Sequence, residues 1–209
     1  MNFRNREDAG RKLAKALETY AGREDVIVVA LPRGGVVLGR VIADALEAPL
    51  DVVVPRKLGA PGHEEYAIGA LTESGEAVWN EAERGRFDHV ALDAVMEAER
   101  AEAKRRLEKY RAGMPPRDLA GKTVIVVDDG IATGFTMRAA LRTVRAERPA
   151  RVVAAVPVAP GDFKASLSNE ADETVILSTP LTFVAIGNFY DEFAPVNDER
   201  VIALMHPKA

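Results

Sequence analysis

Two adjacent carboxylates, Asp128 and Asp129, stand at the end of an apolar run that begins at Val124. A stretch of small and hydroxylated residues follows, and a helical pattern begins near Thr136. Glycines let backbone N–H groups turn inward, and the start of a helix favours anions. The segment therefore predicts a phosphate-binding loop formed by Gly130, Ala132, Thr133, Gly134, Phe135 and Thr136. It contains no lysine, which excludes a Walker A loop.

The two acids would repel a phosphate, so they must serve another part of the ligand. Carboxylates accept hydrogen bonds, and a vicinal diol donates two of them. A ribose 5-phosphate satisfies both requirements, with its phosphate on the loop and its hydroxyls on Asp128 and Asp129. The alternative is that the acids are solvated residues of a turn.

A second candidate loop, Pro32-Arg33-Gly34-Gly35, follows the apolar run from Val26 to Leu31 and precedes a helical pattern from Val36 to Leu46. Its N–H groups would point at a bound anion, and Arg33 adds a positive charge. The spacing of a dinucleotide-binding G-x-G-x-x-G loop fails because position 36 is Val. A generic glycine turn is the other interpretation.

Together these segments resemble the type I phosphoribosyltransferases, whose motif has a strand, two acids, a short stretch ending in Thr-Gly, and a further Thr. Val124 to Thr136 matches that motif, and the similarity in order and spacing covers about residues 25 to 157. The resemblance implies binding of phosphoribosyl pyrophosphate (PRPP) with Mg²⁺ and transfer of phosphoribose to a nitrogenous base, releasing pyrophosphate. It also implies a cis peptide bond at Pro32–Arg33 in a pyrophosphate loop, Pro32 to Gly35.

The resemblance assigns catalysis to Asp128, Asp129, Arg33 and Lys57, with Mg²⁺ near the two acids but held mainly by substrate and water. Members acting on 6-oxopurines have an Asp just before the Thr-Gly pair, where this chain has Ala132. That difference weakens hypoxanthine and guanine as acceptors. The chain looks most similar to an uncharacterised branch of predicted phosphoribosyltransferases.

Two more variable segments complete the predicted site. Residues 56–66 contain Gly59, Pro61 and Gly62 and predict a mobile loop closing over the pyrophosphate, with Arg56, Lys57, His63, Glu64 and Glu65 as its polar residues. A charged surface loop is the alternative. Residues 178–209 would form a hood in which Phe189 and Tyr190 stack on the acceptor base. The alternative is that these aromatic residues belong to the core.

The remaining pattern predicts an α/β protein, a parallel sheet flanked by helices with a small hood, in a single domain over residues 1–209. The core would span about 24–178 and the inserted loop and hairpin 56–80. Strands are expected at 26–31, 50–54, 124–127, 152–156 and 174–177, and helices at 9–20, 36–46, 91–111, 136–147 and 197–205. A hairpin joins 67–71 to 76–79 around Ser74-Gly75.

Composition narrows the possible functions. The 209 residues include no cysteine, which excludes disulfides and thiolate chemistry, and the formal net charge of −4 argues against a general nucleic-acid binder. No apolar run approaches the roughly 20 residues of a membrane span, and no apolar leader is present, which predicts a cytoplasmic protein. The family suggests a homodimer. Alternatives are a PRPP-sensing regulator that binds nucleic acid and a non-catalytic sugar-phosphate or nucleotide binder.

Overall fold

A computed structural model describes residues 1–115, 117–161 and 163–207, with all side chains in those ranges except those of residues 65, 164 and 165. The helices are α1 Arg6–Ala16, α2 Gly34–Leu46, α3 Glu81–Arg84, α4 His89–Tyr110, α5 Phe135–Ala146, α6 Phe163–Ser166 and α7 Asp198–Met205. The strands are β1 Val26–Ala30, β2 Leu50–Val52, β3 Arg56–Ala60, β4 His63–Leu71, β5 Ala77–Trp79, β6 Thr123–Val127, β7 Arg151–Val158 and β8 Glu173–Ser178.

The central sheet has five parallel strands in the order β2-β1-β6-β7-β8. Every residue of β1 and β6 is buried, as their valine-rich sequences predict for strands covered on both faces. Ala30 pairs with Val127, so β1 and β6 end side by side. The two candidate loops, which follow these strands directly, therefore emerge at the same edge of the sheet.

Helices cover both faces of this sheet. On one face α1, α2 and α7 pack over a core that includes Val28, Ile125 and Val127. On the other face α5 packs over a core that includes Val124 and Val126. The alternation of β6 residues between the two cores is the two-residue period expected of a strand.

The segment predicted as a mobile loop is instead an antiparallel pair of strands. β3 pairs with β4, with Lys57 opposite Ala70 and irregularities on either side of Gly59. A Cβ on Gly59 would lie 2.4 Å from the carbonyl oxygen of Glu64, so the close approach of the two strands requires glycine here. β5 pairs with β4, which confirms the predicted hairpin around Ser74-Gly75.

The boundaries of β7 and α2 are among those that differ from prediction. β7 was expected at 152–156 but extends through Pro157 to Val158. Its pairing with β6 ends at Ala155, so Pro157 lies where one neighbour has already ended and a missing N–H is tolerated. α2 begins at Gly34, two residues earlier than expected.

The C-terminal tail returns to the N-terminus of the chain. Phe3 forms a bridge with Tyr190, and the Phe3 N–H donates to the carbonyl of Phe189 at 2.8 Å. Asp191 N–H donates back to the Phe3 carbonyl at 2.9 Å. The predicted hood segment is therefore fixed to the first residues of the chain. Within the described ranges, the helices are all too short or too polar to cross a membrane.

Candidate active site

The loop after β6 forms an anion cradle. α5 begins at Phe135, and its first internal hydrogen bond runs from Arg138 N–H to the Gly134 carbonyl at 3.0 Å. The N–H groups of residues 135–137 precede that bond, so the helix itself supplies no acceptor for them. Gly134 has φ +80°, and a Cβ there would lie 1.8 Å from the ring of Phe163. Only glycine fits this position, and the resulting turn exposes the start of α5.

A cavity of about 290 Å³ lies in front of this cradle. It brings together Asp128, Lys57 and most of the residues predicted to bind the phosphate, and Ile186 from the tail closes one side. Its lining residues are Lys57, Ala67, Asp128, Gly130, Ile131, Ala132, Thr133, Gly134, Thr136, Met137 and Ile186. Phe135 turns its side chain toward the hairpin, against Ala70 and Val78, so only its backbone serves the cradle.

The two acids have different surroundings, which the sequence analysis did not anticipate. Asp128 lines the cavity, and its Oδ1 accepts the Asp129 N–H at 2.8 Å. Asp129 instead accepts a hydrogen bond from Arg6 Nε at 2.7 Å, in an ion pair whose side chains are 10% and 13% exposed. Continuing the alternation along β6, Asp128 faces the side of α5 and Asp129 the side of α1 and α2.

The pKa values of both carboxyls are raised, chiefly because each carboxyl is largely removed from solvent. Burial, together with the neighbouring Asp129 carboxylate, raises the pKa of Asp128 well above its ordinary value. Burial also raises the pKa of Asp129, although the Arg6 guanidinium opposes that rise. Perturbed carboxyls of this kind are common at functional sites.

The loop after β1 lies against the loop between β6 and α5, residues 128–134, which is called the acid loop below. The Pro32–Arg33 peptide bond is cis, as the resemblance implied. A Cβ on Gly35 would lie 2.8 Å from the Val127 carbonyl, so this position needs glycine for the two loops to meet. The Arg33 side chain is 43% exposed, with Nη1 3.7 Å from Asp198 Oδ1 on α7.

A second cavity, of about 580 Å³, adjoins the loop after β1. Its cationic lining residues are Arg33, Arg56, Lys57 and Arg106, and its acidic ones are Glu64 and Glu99. Arg56 Nε donates to Glu99 at 2.6 Å. No sequence motif singles out Arg106 on α4; only its position in the fold reveals that it reaches this cavity. Lys57 lines both cavities.

Comparison with known proteins identifies the family. The family model described as the phosphoribosyl transferase domain matches residues 2–189. The chain belongs to the phosphoribosyltransferase family. A Mycobacterium tuberculosis H37Rv protein, provisionally named a phosphoribosyl transferase, is 44% identical over 205 residues, covering 97% of this chain and 46% of that protein. The same figures hold for the protein of strain CDC 1551. The chain thus spans about half the length of these curated relatives.

A solved structure shares the fold of this phosphoribosyltransferase-family chain. The crystal structure of TT1426 from Thermus thermophilus has a TM-score of 0.80 and 43% sequence identity, covering 98% of each chain. The predicted fold class, a parallel sheet flanked by helices, is confirmed.

Three other predicted residues, His63, Phe189 and Tyr190, do not line the cavity that contains Asp128. His63 lines a separate cavity of about 860 Å³ beside α3. The Glu65 side chain lies outside the described part of the structure. Phe189 is half-buried and stacks on Phe183, with ring centroids 5.4 Å apart.

Tyr190 does not present a face to an acceptor base. Its side chain belongs to a residue only 6% exposed, and its ring packs between Phe3 and Phe193 at centroid distances of 5.4 and 4.9 Å. Its hydroxyl donates to the Asp129 carbonyl at 2.7 Å. Burial raises the pKa of Tyr190, so the hydroxyl keeps its proton and remains a donor. Tyr190 is therefore a core residue whose hydroxyl holds the acid loop, and the predicted stacking of Tyr190 on the acceptor base is corrected.

The described residues contain no cluster of three or more His, Asp or Glu side chains arranged to hold a metal ion. Asp129 is paired with Arg6, which leaves Asp128 as the acid of the pair that faces the cavity. These donors fit Mg²⁺ that is bound chiefly through substrate oxygens and water, an arrangement this ion commonly adopts.

Proposed function

We propose that this chain binds PRPP together with Mg²⁺ and transfers its phosphoribosyl group to a nitrogen of a base, releasing pyrophosphate. One observation carries the proposal. Lys57 lines two cavities. The first contains the phosphate cradle and the Asp128 carboxylate, and the second is lined by three arginines. PRPP has the matching order of groups: a phosphate, a ribose with a vicinal diol, and a pyrophosphate.

Each part of PRPP has a chemically suited partner. The 5-phosphate would accept hydrogen bonds from the backbone N–H groups at the start of α5 and from the hydroxyls of Thr133 and Thr136. Asp128 would accept from the ribose hydroxyls. The pyrophosphate would lie against Gly34 and Gly35, with Arg33 and Lys57 supplying positive charge.

The reaction exchanges one bond at C1 of the ribose for another. The C1–O bond breaks and pyrophosphate leaves with the electron pair, while the ring oxygen shares the positive charge that develops at C1. The Asp128 carboxylate stabilises that charge through the field and through the hydroxyls it holds. The lone pair of the base nitrogen then forms the C1–N bond, and the nitrogen releases its proton to solvent. Mg²⁺, when bound, supplies further charge neutralisation of the departing pyrophosphate.

The acceptor is the least constrained part of the proposal. Ala132 leaves the loop without the acid that 6-oxopurine members use, so adenine-, orotate- or uracil-type bases are the better candidates. Phe189, which stacks on Phe183 within the tail, is the aromatic residue we propose to contact the base.

Two measurements test this function. Mg²⁺ with PRPP should raise Tm, and pyrophosphate release should follow when one base of a panel is added. Binding without pyrophosphate release from any base would support a non-catalytic sugar-phosphate binder instead. No change in Tm at millimolar PRPP would refute the proposal altogether.

A further inference from the structure

Arg6 lies at the centre of contacts that join three parts of the chain. Its Nε donates to Asp129 at 2.7 Å and its Nη1 donates to the Ala194 carbonyl at 2.7 Å. Its guanidinium carbon lies 3.8 Å from the centroid of the Phe193 ring. The first turn of α1, the acid loop and the C-terminal tail are therefore fixed to one another through a single buried arginine.

The Asp129 carboxylate lies directly against the loop predicted to bind pyrophosphate. A Cβ on Gly34 would come within 1.9 Å of Asp129 Oδ2 and 2.9 Å of Arg6 Nε. The absence of a side chain at Gly34 is what admits the ion pair to this place. An unneutralised carboxylate there would repel an anion on the loop, and the effect would be strong because the site is shielded from water.

We propose that Arg6 is a positioning residue for pyrophosphate binding. It neutralises Asp129 beneath the loop, so that the pyrophosphate meets no uncompensated negative charge there. This inference rests on the proposed function, because it assumes that PRPP is the ligand.

The test compares two ligands that differ only in the group beside Gly34. Affinities for Mg²⁺·PRPP and for ribose 5-phosphate are measured calorimetrically at one fixed pH. Arg6→Gln should weaken PRPP binding on the order of tenfold or more while changing ribose 5-phosphate binding by less than about threefold. A purely structural role for Arg6 would weaken both ligands equally.

A double variant separates charge from contact. Arg6→Gln combined with Asp129→Asn replaces the ion pair by a neutral hydrogen-bonded pair, and it should restore PRPP affinity to within about threefold of the unmodified protein. Arg6→Lys keeps the charge but loses the second donor, so its affinity should be intermediate. Arg11→Gln is the matched control, because Arg11 lies on the same helix with a side chain that is 54% exposed.

Several results would overturn the inference. Equal weakening of both ligands by Arg6→Gln would do so, as would a double variant that binds PRPP no better than Arg6→Gln. If Arg6→Gln alone does not fold, the double variant decides, since a tenfold loss there would mean that Asp129 itself contacts the ligand. Failure of the unmodified protein to bind PRPP would remove the proposed function and this inference together, whereas failure confined to the Arg6 series would leave the function standing.

Discussion

Replacement of Asp128 by Asn should stabilise the free protein while weakening its binding of PRPP. The asparagine retains an oxygen that can accept the Asp129 N–H, a contact of 2.8 Å, and it removes a buried charge beside a second carboxylate. Single stabilising substitutions commonly add about 0.5–2 kcal/mol. For a chain of this size, that corresponds to a rise in Tm of about 1–8 °C.

The pH dependence of this gain follows from the raised pKa of Asp128. An unfolded aspartate loses its proton near pH 3.9, whereas the native carboxyl keeps it to higher pH. The native state therefore binds more protons in that window, and stability falls as pH rises through it. Because Asp128→Asn removes this loss, its advantage in Tm should be small near pH 4 and should grow toward neutral pH.

The affinity for PRPP should fall in the Asp128→Asn protein, even though the free protein becomes more stable. The asparagine offers an amide in place of one carboxylate oxygen, so one charge-assisted hydrogen bond to a ribose hydroxyl is lost, worth about 1.5–3 kcal/mol or roughly 10- to 150-fold in affinity. With PRPP at 100 times the Kd of the unmodified protein, ligand-induced stabilisation should fall from about 2.7 kcal/mol to about 0.3–1.4 kcal/mol. Thermal unfolding with and without Mg²⁺·PRPP measures both effects. An Asp128→Asn protein that PRPP stabilises as fully as the unmodified protein would refute the role of Asp128.

Three other predictions concern the supporting structure. Gly134→Ala should destabilise the fold by about 1–3 kcal/mol in chemical denaturation, because φ is +80° and the ring of Phe163 occupies the space of the new Cβ. Lys57→Ala should weaken PRPP binding on the order of tenfold in calorimetry, because Lys57 lines both cavities. The Tyr110 hydroxyl and Lys109 lower the pKa of Asp198 to about 2, so its stabilisation is complete above pH 3.8 and lost as pH falls toward 2. Asp198→Asn should therefore flatten the Tm profile below pH 4.

The parallel core was predictable because its strands carry their own signal. Val26 to Ala30 and Val124 to Val127 are continuous apolar runs, each followed by a glycine-containing loop and a helical pattern. A helix after each strand returns the chain across the sheet, as a crossover between parallel strands requires, and parallel neighbours bring the loops that follow them to one edge of the sheet. The joint position of the two candidate loops follows from that order alone.

The hairpin from Arg56 to Leu71 was not predictable from the same signals. Charged residues and glycines interrupt its alternation, which is typical of loops as well as of exposed strands. Its pairing depends on Gly59, which lets β3 approach the backbone of β4. Likewise, Arg106 reaches the second cavity because of how α4 packs, and local periodicity describes only the helix that carries it.

The separation of the two acids, by contrast, is contained in the sequence. Ile125 and Val127 enter the core beneath α1 and α2, whereas Val124 and Val126 enter the core beneath α5. Continued for two residues, the alternation sends the first acid toward the phosphate cradle and the second toward the first turn of α1. Adjacent residues at the end of an extended strand diverge, so a shared diol would require the backbone to turn at once after Val127. An arginine that can meet the second acid is therefore to be sought on the helices of the opposite face, where Arg6 lies.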